Sequence, residues 1–476
     1  MRFSTEHARS PSRRSAFPAL LVLGIAGGAI GCDLRGHSGA PAAVTGGDTE
    51  IRKDQSVTLV VSGDTAGWIV PCGCTSNQSG GLLRRGTFVA GRREQGPVVI
   101  ADAGGAPGGV SDYQRMKFRA ILRGELKMGL AAHNLGGPEA TFGPEVLRKI
   151  EADLQVPFVS ANLRDANGQL VTSAHRIVEV AGLNIAFVGV LTARQKIAGC
   201  QIDDPRDAIL AAIPSIEEKC DHIVVLAWVP EAELRELAAS VPEVDAVIGG
   251  PTGQSLPPEA TGPTLIASAT NKGKFLACVS TPSGKRGAGW HGEVVELSEH
   301  FRDESVQSEN LHAFRRELAA ADFAASSTGL VYPTSTGGQE GAVVAGSESC
   351  QACHADEYQA WRESNHARAW ETIRAEGAHV DPECQRCHTT GYGLAGGFES
   401  IARSPERTAV GCESCHGPSQ LHVAHPQTKK TPLAAREACQ RCHDRENSPR
   451  FEFAAYWKQI IHGRPVSTDS GPASAP

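Results

Sequence analysis

The stretch Gly411-Cys412-Glu413-Ser414-Cys415-His416-Gly417-Pro418 decides how the C-terminal part of the chain folds. Two thiols three positions apart, followed at once by an imidazole, form the C-x-x-C-H pattern of covalent haem attachment. The thiols bind the two haem vinyl groups, and the adjacent histidine lies under the iron as proximal ligand. The same pattern stands at Cys350-Gln-Ala-Cys353-His354, Cys384-Gln-Arg-Cys387-His388 and Cys439-Gln-Arg-Cys442-His443. With 14 cysteines and 17 histidines in 476 residues, chance would supply only about 0.015 such pentads per chain. Zinc sites or disulfides would not require a histidine directly after the second cysteine four times over.

The four motifs imply four c-type haems. They begin at residues 350, 384, 412 and 439. Segments that short cannot bury a core of their own, so the haems must form much of it and lie close together, as electron transfer between them requires. His366, His379, His422, His425 and His462 are the candidates for the sixth coordination position. A second histidine on the iron fills the site that a small substrate would otherwise take, which favours electron transfer over catalysis.

Residues 347–465 resemble the cytochrome c-554 family of tetrahaem cytochromes. The likeness is carried by Cys350–His354 followed by Tyr358, Trp361 and Ser364-Asn365-His366-Ala367, and by Gly411–Pro418 with His422 four residues on. The resemblance implies that His366 and His422 are distal ligands, and that one haem is left open in some relatives. His462 ranks third as a distal ligand; His379 and His425 rank behind it, with a surface role equally open. Ala355–Ala375 is rich in helix formers and is expected to be helical, with Trp361 and Trp370 packed in the core. Charge over this region is balanced, which predicts no strong electrostatic steering of a partner.

Outward from the motifs, residues 56–298 alternate short β-branched runs with helical stretches. Expected strands are Val57–Ser62, Val98–Ala101, Val156–Ser160, Ile185–Val190, Ile223–Ala227 and Ala246–Ile248; expected helices are Tyr113–His133, Pro144–Asp153, Pro205–Glu217 and Glu231–Ala239. That pitch predicts an α/β layered domain. The region resembles the calcineurin-like metallophosphoesterases of the 5′-nucleotidase branch through Ser79–Arg84, Phe142–Leu147, Ser160-Ala161-Asn162 and Val244–Gly250. In that family carboxylate, amide and imidazole groups at strand ends hold two metals. Here the matching positions read Asp64-Thr65-Ala66, Gly104-Gly105, Gly136-Gly137-Pro138-Glu139, Trp228 and Gly250-Pro251-Thr252-Gly253. Only Asp64 remains, and one carboxylate cannot hold a two-metal clamp. The expectation is a pseudo-enzyme without phosphoesterase metal.

Pro71-Cys72-Gly73-Cys74 follows the first strand. Cys72 and Cys74 could form a strained, exchangeable disulfide that exchanges electrons with the haems; a soft-metal site and an inert structural pair stay open. Cys200, Cys220 and Cys278 are left over, with Cys200–Cys220 the nearest pair. His133, His175 and His222 read as solvated or satisfied histidines.

Arg2, Arg9, Arg13 and Arg14 precede the apolar run Ala16–Ile30, so residues 1–31 read as a signal peptide. Ala29-Ile30-Gly31-Cys32 resembles a lipoprotein cleavage site, which implies lipidation at Cys32; an ordinary cleaved signal is the alternative. Residues 32–55 then form a tether, 299–346 a linker and 466–476 a disordered tail. The net charge of −7 argues against a nucleic-acid partner. The expected protein is an exported, periplasmic or cell-surface tetrahaem cytochrome serving other redox proteins, quinol-linked or cytochromes, and held to a membrane by its lipid. The alternatives are an oxidoreductase acting through an open haem or Cys72/Cys74 on a small nitrogen, sulfur or thiol substrate, and a working metallophosphatase.

Overall fold

The computed structural model describes residues 56–71, 78–281, 289–330, 342–431, 433 and 435–462. Cys32, Cys72, Cys74, the leader and the C-terminal tail lie outside the described residues.

The strands are β1 (Thr58–Ser62), β2 (Val98–Asp102), β3 (Leu130–Asn134), β4 (Phe158–Val159), β5 (Leu163–Asp165), β6 (His175–Val180), β7 (Leu183–Leu191), β8 (Cys200–Ile202), β9 (His222–Trp228), β10 (Ala246–Gly250), β11 (Leu256–Thr261), β12 (Thr264–Ser268), β13 (Phe275–Ser280) and β14 (His291–Glu296). One six-stranded sheet runs β14-β13-β1-β2-β3-β4, a second runs β11-β12-β10-β9-β7-β6, and β5 pairs with β8. Helices α1 (Leu82–Gln95), α2 (Asp112–Lys127), α3 (Gly137–Ala140), α4 (Pro144–Leu154), α5 (Pro205–Ala212), α6 (Glu231–Ser240) and α7 (Ser305–Ala321) complete this half.

Side chains alternate across each strand, and that alternation builds the layers. Leu59 and Val61 of β1 enter one apolar cluster with Ile185 and Phe187 of β7 and Val224 and Leu226 of β9, so the two sheets face each other. Val60 points the other way and packs with Phe118 of α2, Leu147 of α4 and Phe314 of α7. Ile223 and Val225 meet Ile209 of α5 and Leu234 of α6 on the far face. The result is helix, sheet, sheet, helix: the α/β layered class the sequence predicts.

Several boundaries differ from expectation; the helix expected over Pro205–Glu217 is α-helical only to Ala212. The helix expected over Tyr113–His133 ends at Lys127, because Gly129 turns the chain at φ 80 and Leu130–Asn134 pairs in parallel with β2. His133 is therefore a buried strand residue, not part of a helix. Residues 299–346 include α7, whose Leu311, Phe314 and Leu318 are buried in the α/β core.

The C-terminal half is helical and loop-rich. It holds α8 (Ala355–Glu363), α9 (Ala369–Ala375), α10 (Pro382–His388), α11 (Cys412–His416), α12 (Gln420–Ala424), α13 (Ala435–Gln440) and α14 (Phe453–Trp457). The single helix expected over Ala355–Ala375 is broken at Ser364 (ψ 162), and His366 stands in the break. One small apolar cluster forms here, from Trp370, Ile373, Tyr392 and Phe398 with Ala325.

Candidate functional site

Each C-x-x-C-H motif occupies one tight helical turn. The His354 N–H donates to the Cys350 carbonyl at 2.9 Å, and the His443 N–H to that of Cys439 at 2.9 Å. Positions i and i+3 share a helix face, so each thiol pair points one way. The second and third motifs lie within α10 and α11. The Asp381 carboxylate caps α10 by accepting from the Glu383 N–H at 3.0 Å. Glu413, inside the third motif, is buried and accepts from the N–H groups of Ala345, Gly346 and Ser419 at 2.8, 2.6 and 2.7 Å. It thereby ties the third motif to the chain leading into the first.

The thiols order the motifs in space. The Cys350 thiol lies beside that of Cys412, and the Cys387 thiol beside that of Cys442. Cys415 and Cys439 are close enough to interact electrostatically. The sequence of contacts is thus first, third, fourth, second.

The histidines add the decisive geometry. The ring centres of His354 and His422 are 6.2 Å apart, those of His443 and His366 6.2 Å, and those of His416 and His462 6.3 Å. A metal–imidazole bond is about 2.0–2.1 Å, and the ring centre lies roughly 1 Å behind the ligating nitrogen, so two imidazoles on one metal stand about 6 Å apart. Three proximal histidines therefore face a distal candidate at the spacing an iron between them needs. Burial pulls the pKa values of His366, His388, His416 and His443 below the usual histidine value, favouring the neutral form that ligates. The other nitrogen is oriented in several: Nδ1 of His388 stands 2.8 Å from the Ala369 carbonyl, that of His422 2.6 Å from the Lys429 carbonyl, and that of His462 2.8 Å from the Ile460 carbonyl.

His388 of the second motif faces no histidine at this spacing among the described residues. His379 instead packs edge-on against Trp370, with ring centres 5.8 Å apart. His425 is exposed at the end of α12. The thiol pairs and paired imidazoles fit c-type haem in chemistry and spacing. Sequence reading did not single out Glu413. A buried acid between two motif cysteines was its only signal.

In the α/β half, Asp64 accepts from the Thr270 hydroxyl at 2.8 Å and the Asn271 N–H at 3.0 Å. The Trp228 ring packs on Gly136, and a Cβ at Gly105 would collide with it. Nearby lies a buried ionic network. Arg85 Nη1 donates to Glu125 at 3.0 Å, Glu125 pairs with His133 Nδ1 at 3.0 Å, and His133 Nε2 is 3.4 Å from Glu139. Asp102, Glu125 and His133 bring donor atoms within 4.8 Å of one another, a set that could hold a metal ion. Arg85, however, already places a cation there, 3.9 Å from Asp102. Burial lowers the His133 pKa, but the charges of Asp102 and Glu125 outweigh it and hold the imidazole well above its usual value. Among the described residues no disulfide joins Cys200 to Cys220.

The two halves are in contact. The Tyr113 hydroxyl donates to Asp381 at 2.6 Å, and Lys117 pairs with Glu383 at 3.8 Å. Lys272 pairs with Glu446, whose carbonyl also accepts from Gln78 at 2.6 Å.

Fold and site together define a class: a phosphoesterase-type α/β scaffold carrying a c-type cytochrome segment. Comparison with known proteins finds likenesses for both parts. Residues 349–417 match the family described as cytochrome c554 and c-prime. Cytochrome c-554 of Nitrosomonas europaea is 34% identical, over 22% of this chain and 59% of that protein. The 5′-nucleotidase of Vibrio cholerae is 25% identical, over 52% of this chain and 48% of that protein. Among solved structures, a 5′-nucleotidase precursor from Thermus thermophilus superposes with a TM-score of 0.49 at 20% identity, covering 56% of this chain and 59% of that one. The chain thus spans about half the length of the curated relatives it matches. The C-terminal segment is similar to cytochrome c-554, a family whose likeness implies c-type haem.

Proposed function

We propose that this protein is an exported electron carrier with four c-type haems, and that its α/β half does not hydrolyse phosphoesters. The three imidazole pairs at 6.2–6.3 Å carry this reading. The haems would be held by the thiol pairs Cys350/Cys353, Cys384/Cys387, Cys412/Cys415 and Cys439/Cys442, with proximal His354, His388, His416 and His443. His422, His366 and His462 would close the first, fourth and third. Bound haem supplies a reversible one-electron change at iron. The protein's residues fix His388, His422, His443 and His462 through their Nδ1 partners and bring the motifs together in the order first, third, fourth, second. The partners are other redox proteins, and Cys32 would carry a lipid that keeps the protein at a membrane. No helix among the described residues is long and apolar enough to cross one.

Mass spectrometry of protein matured in a competent host should show four added haems, and the reduced protein a sharp α-band. Absence of either overturns the reading. Trp228 and Arg85 support the non-hydrolytic reading: the resemblance implies a histidine where Trp228 stands, and the Arg85 guanidinium already sits against Asp102 and Glu125. Manganese-loaded protein should not turn over nucleotides; turnover with stoichiometric metal refutes this.

A second reading rests on His388, which meets no imidazole across from it among the described residues. An open iron there would bind small nitrogen compounds. Carbon monoxide or nitric oxide should then perturb about one quarter of the reduced spectrum; no perturbation removes this reading. Cys72 and Cys74 are proposed as a dithiol donor to the haems. Replacing either with serine should slow haem reduction by thiols, and an unchanged rate removes that role.

A further inference from the structure

We infer that Asp64, through Lys272, positions the fourth haem motif and sets the reduction potential at His443; the inference rests on the haem-carrying reading above. Asp64 grips the turn that follows β12. It accepts from the Thr270 hydroxyl and the Asn271 N–H, while its own carbonyl accepts from the Gly273 N–H at 3.1 Å. Asn271 and Lys272 both adopt left-handed backbone, φ 70 and 59, which asparagine tolerates but lysine adopts at a cost that its surroundings must offset. Asp64 supplies that offset. The turn holds the Lys272 ammonium over the Trp68 ring, 4.8 Å from its centre, and against the Glu446 carboxylate.

Glu446 belongs to the short loop directly behind the fourth motif. Its N–H and that of Asn447 donate to Asp444 at 2.9 and 2.7 Å, and the Ser448 N–H donates to the Asp444 carbonyl at 2.8 Å. That loop places the Ser448 hydroxyl 2.9 Å from His443 Nδ1. With Nε2 on a metal, Nδ1 carries the proton and Ser448 accepts it as a hydrogen bond. Such a bond raises the basicity of the ligating imidazole and favours the oxidised metal.

The other proximal histidines are anchored differently. His388 and His416 meet backbone carbonyls, those of Ala369 and Thr431. His354 lies 4.0 Å from the Glu357 carboxylate. Among the described residues only His443 has a side-chain hydroxyl there, and that hydroxyl sits in a loop clamped by the other half of the molecule. Asp64 is thus a positioning residue for a redox centre.

The test is potentiometric titration of the holoprotein, followed by its α-band and by the low-spin ferric resonance spectrum. Ser448→Ala should raise the potential of one component by about a tenfold change in its reduction equilibrium, or 59 mV for one electron. Ser448→Thr should restore it. Lys272→Met and Asp64→Ala should displace the same component, and exchanging the charges with Lys272→Glu and Glu446→Lys together should return it. If Ser448→Ala leaves all components in place, or if Lys272→Met moves them all together, the inference is wrong. Wild-type protein without an α-band would instead refute the haem reading itself.

Discussion

At the scale of single residues, two buried acids do unlike work. Glu413 answers three backbone N–H groups that have no other acceptor in the chain around it. Glu413→Ala leaves them buried, and each orphaned donor costs about 1–3 kcal/mol. We expect a loss of at least about 2 kcal/mol, seen as a lower melting temperature of the holoprotein. The His133 network responds to pH. Its imidazole is held above the usual histidine value, and burial, with the Asp102 charge, likewise raises Glu125. Both groups bind more protons folded than unfolded. Their stabilisation is fully present below the unfolded-state values and is lost as pH rises through the folded ones. Thermal melts should therefore weaken toward alkaline pH, and His133→Gln should flatten that limb while costing about 3 kcal/mol near neutrality. A wild-type profile that strengthens above neutral pH would contradict the network.

Elements show what the sequence could and could not disclose. The four motifs were legible because their chemistry is local: five residues carry it. Most strands and α4, α5 and α6 were legible too, because their apolar periods match a strand or a helix and nothing else. Leu130–Asn134 was not, since a short apolar run satisfies either period and only Gly129 separates it from α2. The distal pairing was legible in part. His366 and His422 stood in recognisable surroundings, whereas which proximal partner each faces depends on contacts across 68 and 77 residues. Glu413 was invisible because Ala345 and Gly346 lie far from it in the chain, and Ser448 because only the turn built on Asp444 brings its hydroxyl back to His443. The packing of α7 was hidden behind its polar composition; its few buried residues make it part of the α/β core. Phe314→Ala should cost about 3–5 kcal/mol in that half, measured by urea unfolding. Little effect would show that α7 is dispensable. Tyr113→Phe removes the hydroxyl that joins α2 to the cap of α10, and should cost about 1 kcal/mol, read by the same method.

For the whole molecule, the two halves differ in how they are filled. Among the described residues the α/β half holds three large apolar clusters, built almost wholly from its own strands and helices. The C-terminal half owns one, of five buried residues, and even that draws Ala325 from the chain before it. The proposed haem reading therefore predicts staged maturation. On that reading the layered half can fold on its own apolar clusters, while the C-terminal half waits for haem to complete its core. A host unable to attach haem should yield a molecule that proteases trim from its C-terminal end and spare from the sheets onward.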